Sequence, residues 1–357
     1  MKSSSRTFIS VLFVIALLAF VTAIPSLPVS KYWQTLGFIT FLFAGMSVAW
    51  NILGGYGGQV SFGHGTFLGL GAFTTAVISI RTGIPAPLTI PIAGLVAMVY
   101  GVLWGYPTLR LRGPYFSIAT IGIGEATRLL MINLDDLLRG APFLNELVKD
   151  RPFTGGASGL NLKIPPDIIS YQLNYYYFAL AFLVITILIA WWIRRARFGL
   201  ALFAINMDPD AAETLGVNTA RYKVYALMVS AFLVGVAGSL YAQYFLFIDP
   251  REMFSFQNSI AMVLMPIIGG IGTVGGPVLG AFVFKVVEDR LATTRLEFGT
   301  LTINLVQFNL LLYGLLLVLI ILFERGGVLG LLSRAAKKIQ EPQRRQALAE
   351  KNSNSNL

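Results

Sequence analysis

The chain alternates between long uncharged runs and short charged ones. Seven stretches carry no Asp, Glu, Lys or Arg for 24 residues or more: 7–30, 32–80, 82–109, 168–193, 224–248, 253–284 and 298–323. A membrane-spanning helix needs about 20 mostly apolar residues, whereas the strands of an outer-membrane barrel need about 10 residues of alternating polarity. The runs fit the first requirement and not the second. The pattern predicts an all-α, polytopic membrane protein with about 10 (8–10) transmembrane helices, some of them broken or half-length. Segments are expected near 7–24, 33–53, 62–80, 86–104, 114–132, 174–193, 222–247, 258–269, 277–289 and 304–323. The segments at 258–269 and 277–289 are short. Twelve helical residues cover about 18 Å of a hydrocarbon core about 30 Å thick. They read as half-helices meeting inside the protein around Gly269-Gly270-Ile271-Gly272-Thr273-Val274-Gly275-Gly276-Pro277.

Composition narrows the class. Of 357 residues, 55% are apolar and 12% charged, against about 25% charged in a soluble domain. A soluble enzyme, a disordered chain and a nucleic-acid-binding domain are excluded. With no cysteine and one histidine, neither a metal site nor a cofactor is expected. No Walker A pattern occurs, so any ATP-driven transport needs a separate ATPase. The run from Thr7 to Ile24 exceeds the 7–15 apolar residues of a signal-peptide core and is read as a retained first helix.

The net charge of +10 becomes informative once it is distributed. With the N-terminus inside and ten crossings, the cytoplasmic segments hold 16 Lys and Arg and the outside holds nine, the latter mixed with acids. This is the positive-inside bias, and it puts both termini in the cytoplasm. A transmembrane domain over 1–324 is expected, with an outer loop at 133–173 and an inner loop at 194–221. A basic polar tail follows at 325–357 and is expected to be disordered.

Four constellations carry candidate chemistry. The first holds eight glycines between Gly54 and Gly71, including Gly57, Gly58 and Gly63, with Gln59, Ser61 and His64 among them. It reads either as a broken helix lining a pathway or as tight helix packing around a satisfied histidine. The second is the loop with Gly272 and Thr273, whose Gly-Gly-x-Gly echoes residues 54–57. The third is Glu125 with Arg128, three apart and so on one helix face. An ionisable residue within a membrane segment is a functional candidate; the alternative is a structural pair at the membrane edge. Lys285 with Glu288 and Asp289 reads as an interface anchor. The fourth lies in the inner loop. Asp208-Pro209 has the form of a helix start, Asp210 and Glu213 suit the positive end of the helix dipole, and Gly216 can end the helix. Asn218 or Thr219 can then cap the next one. This two-turn helix, with Ala211 and Ala212 at its centre, invites a cytoplasmic partner.

In order along the chain, these motifs resemble the permease family of ATP-binding-cassette importers for branched-chain amino acids, in its LivM-like branch. The resemblance rests on residues 57–65, Leu109–Phe116, Thr120–Glu125, Thr154-Gly155-Gly156 with Gly159-Leu160, and 269–277, and it covers roughly residues 33–333. Asp210-Ala211-Ala212-x-x-x-Gly216 is similar to the coupling signature Glu-Ala-Ala-x-x-x-Gly of importer permeases, with aspartate leading and no Leu-Pro following. The resemblance implies a non-enzymatic permease subunit of the bacterial inner membrane. It also implies a second homologous permease, two cytoplasmic ATP-binding subunits and a periplasmic substrate-binding protein, with Thr154, Gly155 and Gly156 facing the last. Urea or short amides are alternative cargoes. The rival class is a self-sufficient secondary transporter or channel, for which Glu125 is the one deep carboxylate.

Overall fold

The computed structural model describes residues 31–111, 113–141, 143–148, 152–293, 295–298 and 301–304, with isolated positions beyond. The expected segment at 7–24, most of that at 304–323, and the tail lie outside these residues.

The long helices form where apolar runs are uninterrupted. Helix α1 (Lys31–Asn51) continues into a π-helical turn, Ile52–Tyr56, and stops at the glycines. Helices α2 (His64–Thr82), α3 (Ile90–Thr108), α4 (Pro114–Gly140) and the short α5 (Asn145–Val148) follow. Then come α6 (Ile168–Arg195), α7 (Arg197–Met207), α8 (Pro209–Thr214), α9 (Thr219–Phe245) and α10 (Pro250–Met253). Helices α11 (Phe256–Gly269) and α12 (Gly276–Thr293) close the main body.

Among the described residues, five helices are long and apolar enough to cross a membrane: α1 with its π turn, α3 with the 3-10 turn before it, α4, α6 and α9. The others fall short for separate reasons. Helix α2 is diluted by His64, glycines and threonines. Helix α11 has only 14 residues. Helix α12 carries Lys285, Glu288, Asp289 and Arg290.

Several boundaries differ from the sequence expectation. Helix α4 runs to Gly140 and α6 starts at Ile168, so the outer loop is shorter than 133–173. Backbone hydrogen bonding does not stop where side chains turn polar, and both helices extend past their apolar runs. The inner loop holds two helices, α7 and α8, where one was expected. Helix α12 has 18 residues, longer than a half-helix.

Helix α9 packs most closely on α3 and α2, α1 packs on α6, and α11 pairs with α12. The α2–α9 and α11–α12 contacts are glycine-tight. A Cβ on Gly71 would lie 2.0 Å from Gly235 O, and one on Gly280 would lie 1.8 Å from Met265 O. Lipid gives little hydrophobic drive between helices, so close backbone approach supplies the contact energy. Outside the helices, Leu160–Asn161 (β1) pairs antiparallel with Phe247–Ile248 (β2). This ties the outer loop to the end of α9.

Candidate functional site: a polar seam, a cavity beside helix α4 and a capped inner helix

The polar seam begins at the end of α1. Asn51 is fully buried. Its Nδ2 donates to Thr273 O at 2.8 Å, and its Oδ1 accepts from Gly272 N at 2.9 Å. One side-chain amide thus satisfies both a donor and an acceptor of the tip between α11 and α12. Gly272 has φ +75°, a left-handed conformation suited to glycine. Thr273 Oγ1 donates to Gly270 O and accepts from Gly276 N, at 2.7 and 3.0 Å, which fixes the turn. Ser47 adds a donation to Pro277 O at 3.3 Å. On the opposite side of the π turn, Asn206 of α7 donates to Gly55 O at 3.1 Å. The α11–α12 tip, the broken end of α1 and inner helix α7 therefore meet within a few residues.

The chain after Gly57 and Gly58 folds back, so that Ser61 and His64 lie level with Trp50. Trp50 Nε1 donates to Ser61 O at 2.8 Å, and Gln59 is almost buried. His64 is fully buried. Its Nδ1 lies 3.0 Å from Ser61 Oγ and its Nε2 2.9 Å from Ser230 Oγ. Ser230 donates to Ala49 O at 2.7 Å, so it can only accept from the ring. This makes Nε2 the donor to Ser230 and pairs Nδ1 with Ser61. With a partner at each ring nitrogen, His64 joins α1, α2 and α9. Gly63 passes close to α4, where a Cβ would lie 3.0 Å from Thr120 O. Thr120 Oγ1 accepts from Phe62 N at 3.1 Å.

Glu125 and Arg128 lie midway along α4. Arg128 Nε donates to Glu125 Oε2 at 2.9 Å, within a two-pronged ion pair, and Glu125 stays 48% exposed. Beside it is a cavity of about 180 Å3 between α2, α4 and α11, to which Phe62, Thr66 and Ser259 contribute. Gly57, Gln59 and His64 do not line this cavity. Larger clefts lie between α3 and α4 (about 320 Å3) and beneath the outer loop (about 240 Å3). Lys285 has partners within the fold. It is buried, bonded to Glu288 at 2.7 Å and 3.4 Å from the Phe43 ring centroid, because α12 lies against α1.

The inner helix α8 is capped at both ends. Asp208 accepts from Asp210 N and Ala211 N at 2.9 and 3.1 Å. Gly216, at φ +85°, ends the helix in a Schellman turn: Val217 N donates to Ala212 O and Gly216 N to Glu213 O. Asn218 caps α9 by accepting from Arg221 N, while Thr219 bonds Glu213. Ala212 is buried, but Met207 and Leu215, at the two ends of α8, are 89% and 83% exposed.

In the outer loop Thr154 is buried, and its N–H, its hydroxyl and Gly155 N all donate to Asp135. Phe153 N joins them at 2.7 Å. Gly155 and Gly156 take φ of +69° and +53° to make the turn. The buried Asp135 carboxylate thus nucleates a loop whose shape Thr154 completes from within.

The family model for the permease component of branched-chain amino acid transport systems matches residues 34–321. The chain belongs to that family. It is 29% identical over 331 residues to the high-affinity branched-chain amino acid transport system permease protein LivM of Escherichia coli K12, covering 89% of this chain and 74% of that protein. The LivH permease protein of Salmonella typhimurium is 24% identical over 301 residues, covering 81% and 91%. The nucleoside ABC transporter permease protein NupC of Lactococcus lactis is 27% identical over 203 residues, covering 52% and 59%. No solved structure matches. As a member of this family the chain is a multi-pass membrane permease.

Sequence reasoning missed Asn51, Asn206, Ser230, Ser259 and Asp135, all of which organise these features. Asn51 carried a usable signal, an amide late in an otherwise apolar run. Ser230 and Ser259 carried none, because serine is common in membrane helices. Met207 and Leu215 were hidden because exposure cannot be read from an apolar residue in a loop.

Proposed function

We propose that this chain is a permease subunit of an inner-membrane ATP-binding-cassette importer, moving branched-chain or other neutral amino acids by alternating access, with both termini in the cytoplasm. The observation that carries the reading is helix α8: rigidly capped, flanked by exposed Met207 and Leu215, and placed on the side where basic residues collect. A short soluble helix with an apolar residue at each end fits a groove on a cytoplasmic ATPase, and two such subunits would supply the hydrolysis this chain lacks. Motion of α8 has a physical route inward. It passes to α7, through Asn206 to the π turn at Gly55, and through Asn51 to Gly272 and Thr273.

Glu125 and Arg128 support the pathway assignment. A charged pair at mid-helix is not left facing lipid, so this face of α4 borders a water-filled path or a second permease. Gly57, Gly58, Gln59, Ser61, Gly63 and His64 then form the rigid floor beside that path. The loop shaped by Thr154, Gly155 and Gly156 lies on the outer side, where a periplasmic binding protein would deliver cargo. The test is replacement of Asp210 and Gly216 together in the assembled importer. ATP hydrolysis is expected to persist while substrate uptake falls; normal coupled uptake would reject the docking role.

A further inference from the structure

The cavity beside α4 has a composition that the pathway assignment alone does not explain. It is walled by Phe62, Phe254 and Phe256, and three polar residues, Glu125, Thr66 and Ser259, also line it. Thr66 and Ser259 are each only 3% exposed. Ser259 Oγ accepts from Gly65 N at 2.8 Å, so its own proton is left to donate. No hydrogen bond joins Thr66 Oγ1 to another described residue. Buried hydroxyls with unused hydrogen-bonding capacity are uncommon in a finished core. Here two of them face the same space as a carboxylate.

From this arrangement we propose that the cavity is a substrate-binding site within the permease, selective for an α-amino acid with a branched aliphatic side chain. The inference rests on the importer reading above and adds the ligand chemistry. The substrate ammonium is a compact triple donor. Glu125 offers it a charge-compensating acceptor, and Thr66 offers a neutral one. The Ser259 hydroxyl, already polarised by Gly65 N–H, donates to the substrate carboxylate. Arg128, bonded to Glu125 across one helical turn, keeps the site near neutrality when empty. The phenylalanine rings take the side chain. The volume, about 180 Å3, is adequate, since apolar cavities of ~150 Å3 admit benzene. Urea and short amides have no ammonium for Glu125 and no apolar group for the rings, so the site discriminates against them. The neighbouring cleft of about 320 Å3 between α3 and α4 has no charged group and no comparable claim.

The test is direct binding of radiolabelled leucine to the importer, purified with its partner subunits but without the periplasmic binding protein. Leucine lacking its ammonium (4-methylpentanoate) and urea serve as competitors. Wild type is expected to bind leucine, with neither competitor displacing it. Glu125→Gln should weaken leucine at least about tenfold, the loss of one charged hydrogen bond, and Glu125→Asp should recover most of it. Gly124→Leu places bulk in the cavity from a position where a Cβ meets only Thr66 Oγ1 at 3.5 Å and Gly63 at 3.9 Å. It should abolish binding without depending on the Arg128 pair. Leucine binding equal to wild type in both Glu125→Gln and Gly124→Leu overturns the site while ATP-driven leucine uptake keeps the importer reading intact. Equal displacement by 4-methylpentanoate overturns the ammonium role of Glu125. Absence of ATP-driven uptake of any solute by wild type overturns the importer reading and this proposal with it.

Discussion

Helices α1 and α4 are both long enough to span a membrane, yet they solve opposite problems. The most apolar window of α1 is 83% buried within the chain, and that of α4 only 17%. Helix α1 is a pillar. Phe38 stacks on Tyr244, Thr35 shares a hydrogen bond with the same tyrosine, Lys285 sits over Phe43, and Asn51 clamps the α11–α12 tip. Helix α4 is held by few residues, chiefly Phe116, Thr120, Thr127 and Asp135, and presents Tyr115, Ile118, Leu129 and Leu130 outward. Polar groups follow the same division. Thr40, Ser47 and Asn51 of α1 are buried and hydrogen-bonded, whereas Glu125 and Arg128 of α4 pair with each other and stay partly exposed. The comparison teaches that the chain buries the deep polar groups of one spanning helix within its own fold and leaves a charged pair of the other open.

The most severe way to break this contrast is to remove the clamp. Asn51→Leu leaves the part-buried Gly272 N and Thr273 O without this partner, at about 1 kcal/mol each. Thermal unfolding in detergent should shift down by more than for any surface change, with loss of assembled importer. If the melting temperature is unchanged, Asn51 does not hold the tip and α1 is not the pillar.

The inner helix should respond next. Asp208→Ala removes two hydrogen bonds to the first turn of α8 and is expected to lose about 1 kcal/mol locally. Leu215→Asp removes an exposed apolar anchor with little effect on the isolated chain. Both should reduce copurification of the ATPase subunits, and Leu215→Asp should do so without lowering thermal stability. A parallel fall in stability for Leu215→Asp would mean that the residue serves the fold and not the partner.

Helix α4 offers the milder, sharpening test. Nothing lies within 4 Å of a Cβ placed on Gly122, so Gly122→Leu should leave the unfolding free energy of the isolated permease within about 0.5 kcal/mol of wild type, as for a surface position. It should nevertheless weaken assembly or uptake, because that face meets a neighbour. Destabilisation of the isolated chain as large as for Asn51→Leu would erase the distinction between the two helices.

How much of this was legible in the sequence divides along the same line. The apolar runs located α1, α3, α4, α6 and α9, because lipid imposes a length and a polarity that a single helix must meet by itself. The caps of α8 were readable for a similar reason: Asp208, Pro209 and Gly216 act within one turn. The clamp by Asn51, the four hydrogen-bond donors that the outer loop turns on Asp135 and the pairing of Ser230 with His64 were not readable. Each joins residues many positions apart, and no local pattern names the partner. Burial was equally invisible. The charges of α4 set it apart from α1 in the sequence, but which faces of either helix are covered is decided by packing.

The smallest expected effect concerns the helix that α1 packs against. Asp167 caps α6 from an exposed position outside the membrane segment. Hydrogen bonds from the Ser170 hydroxyl and amide, and from Ile169 N, hold its carboxyl below the ordinary aspartate value of 3.8. A carboxylate with a depressed pKa contributes stability above its unfolded pKa and loses it as pH falls through the folded one. The cap should therefore persist from neutrality down to about pH 4 and disappear only in stronger acid, with Asp167→Asn flattening that part of the stability profile. Hydrogen exchange in the first turn of α6 is the measurement to make. The opening should stay confined to that turn, because α6 is held along its length by burial against α1 and not by its cap. Acid-induced exchange spreading to Tyr175 and Tyr176, which are buried against the core, would show that the pillar depends on its rim after all.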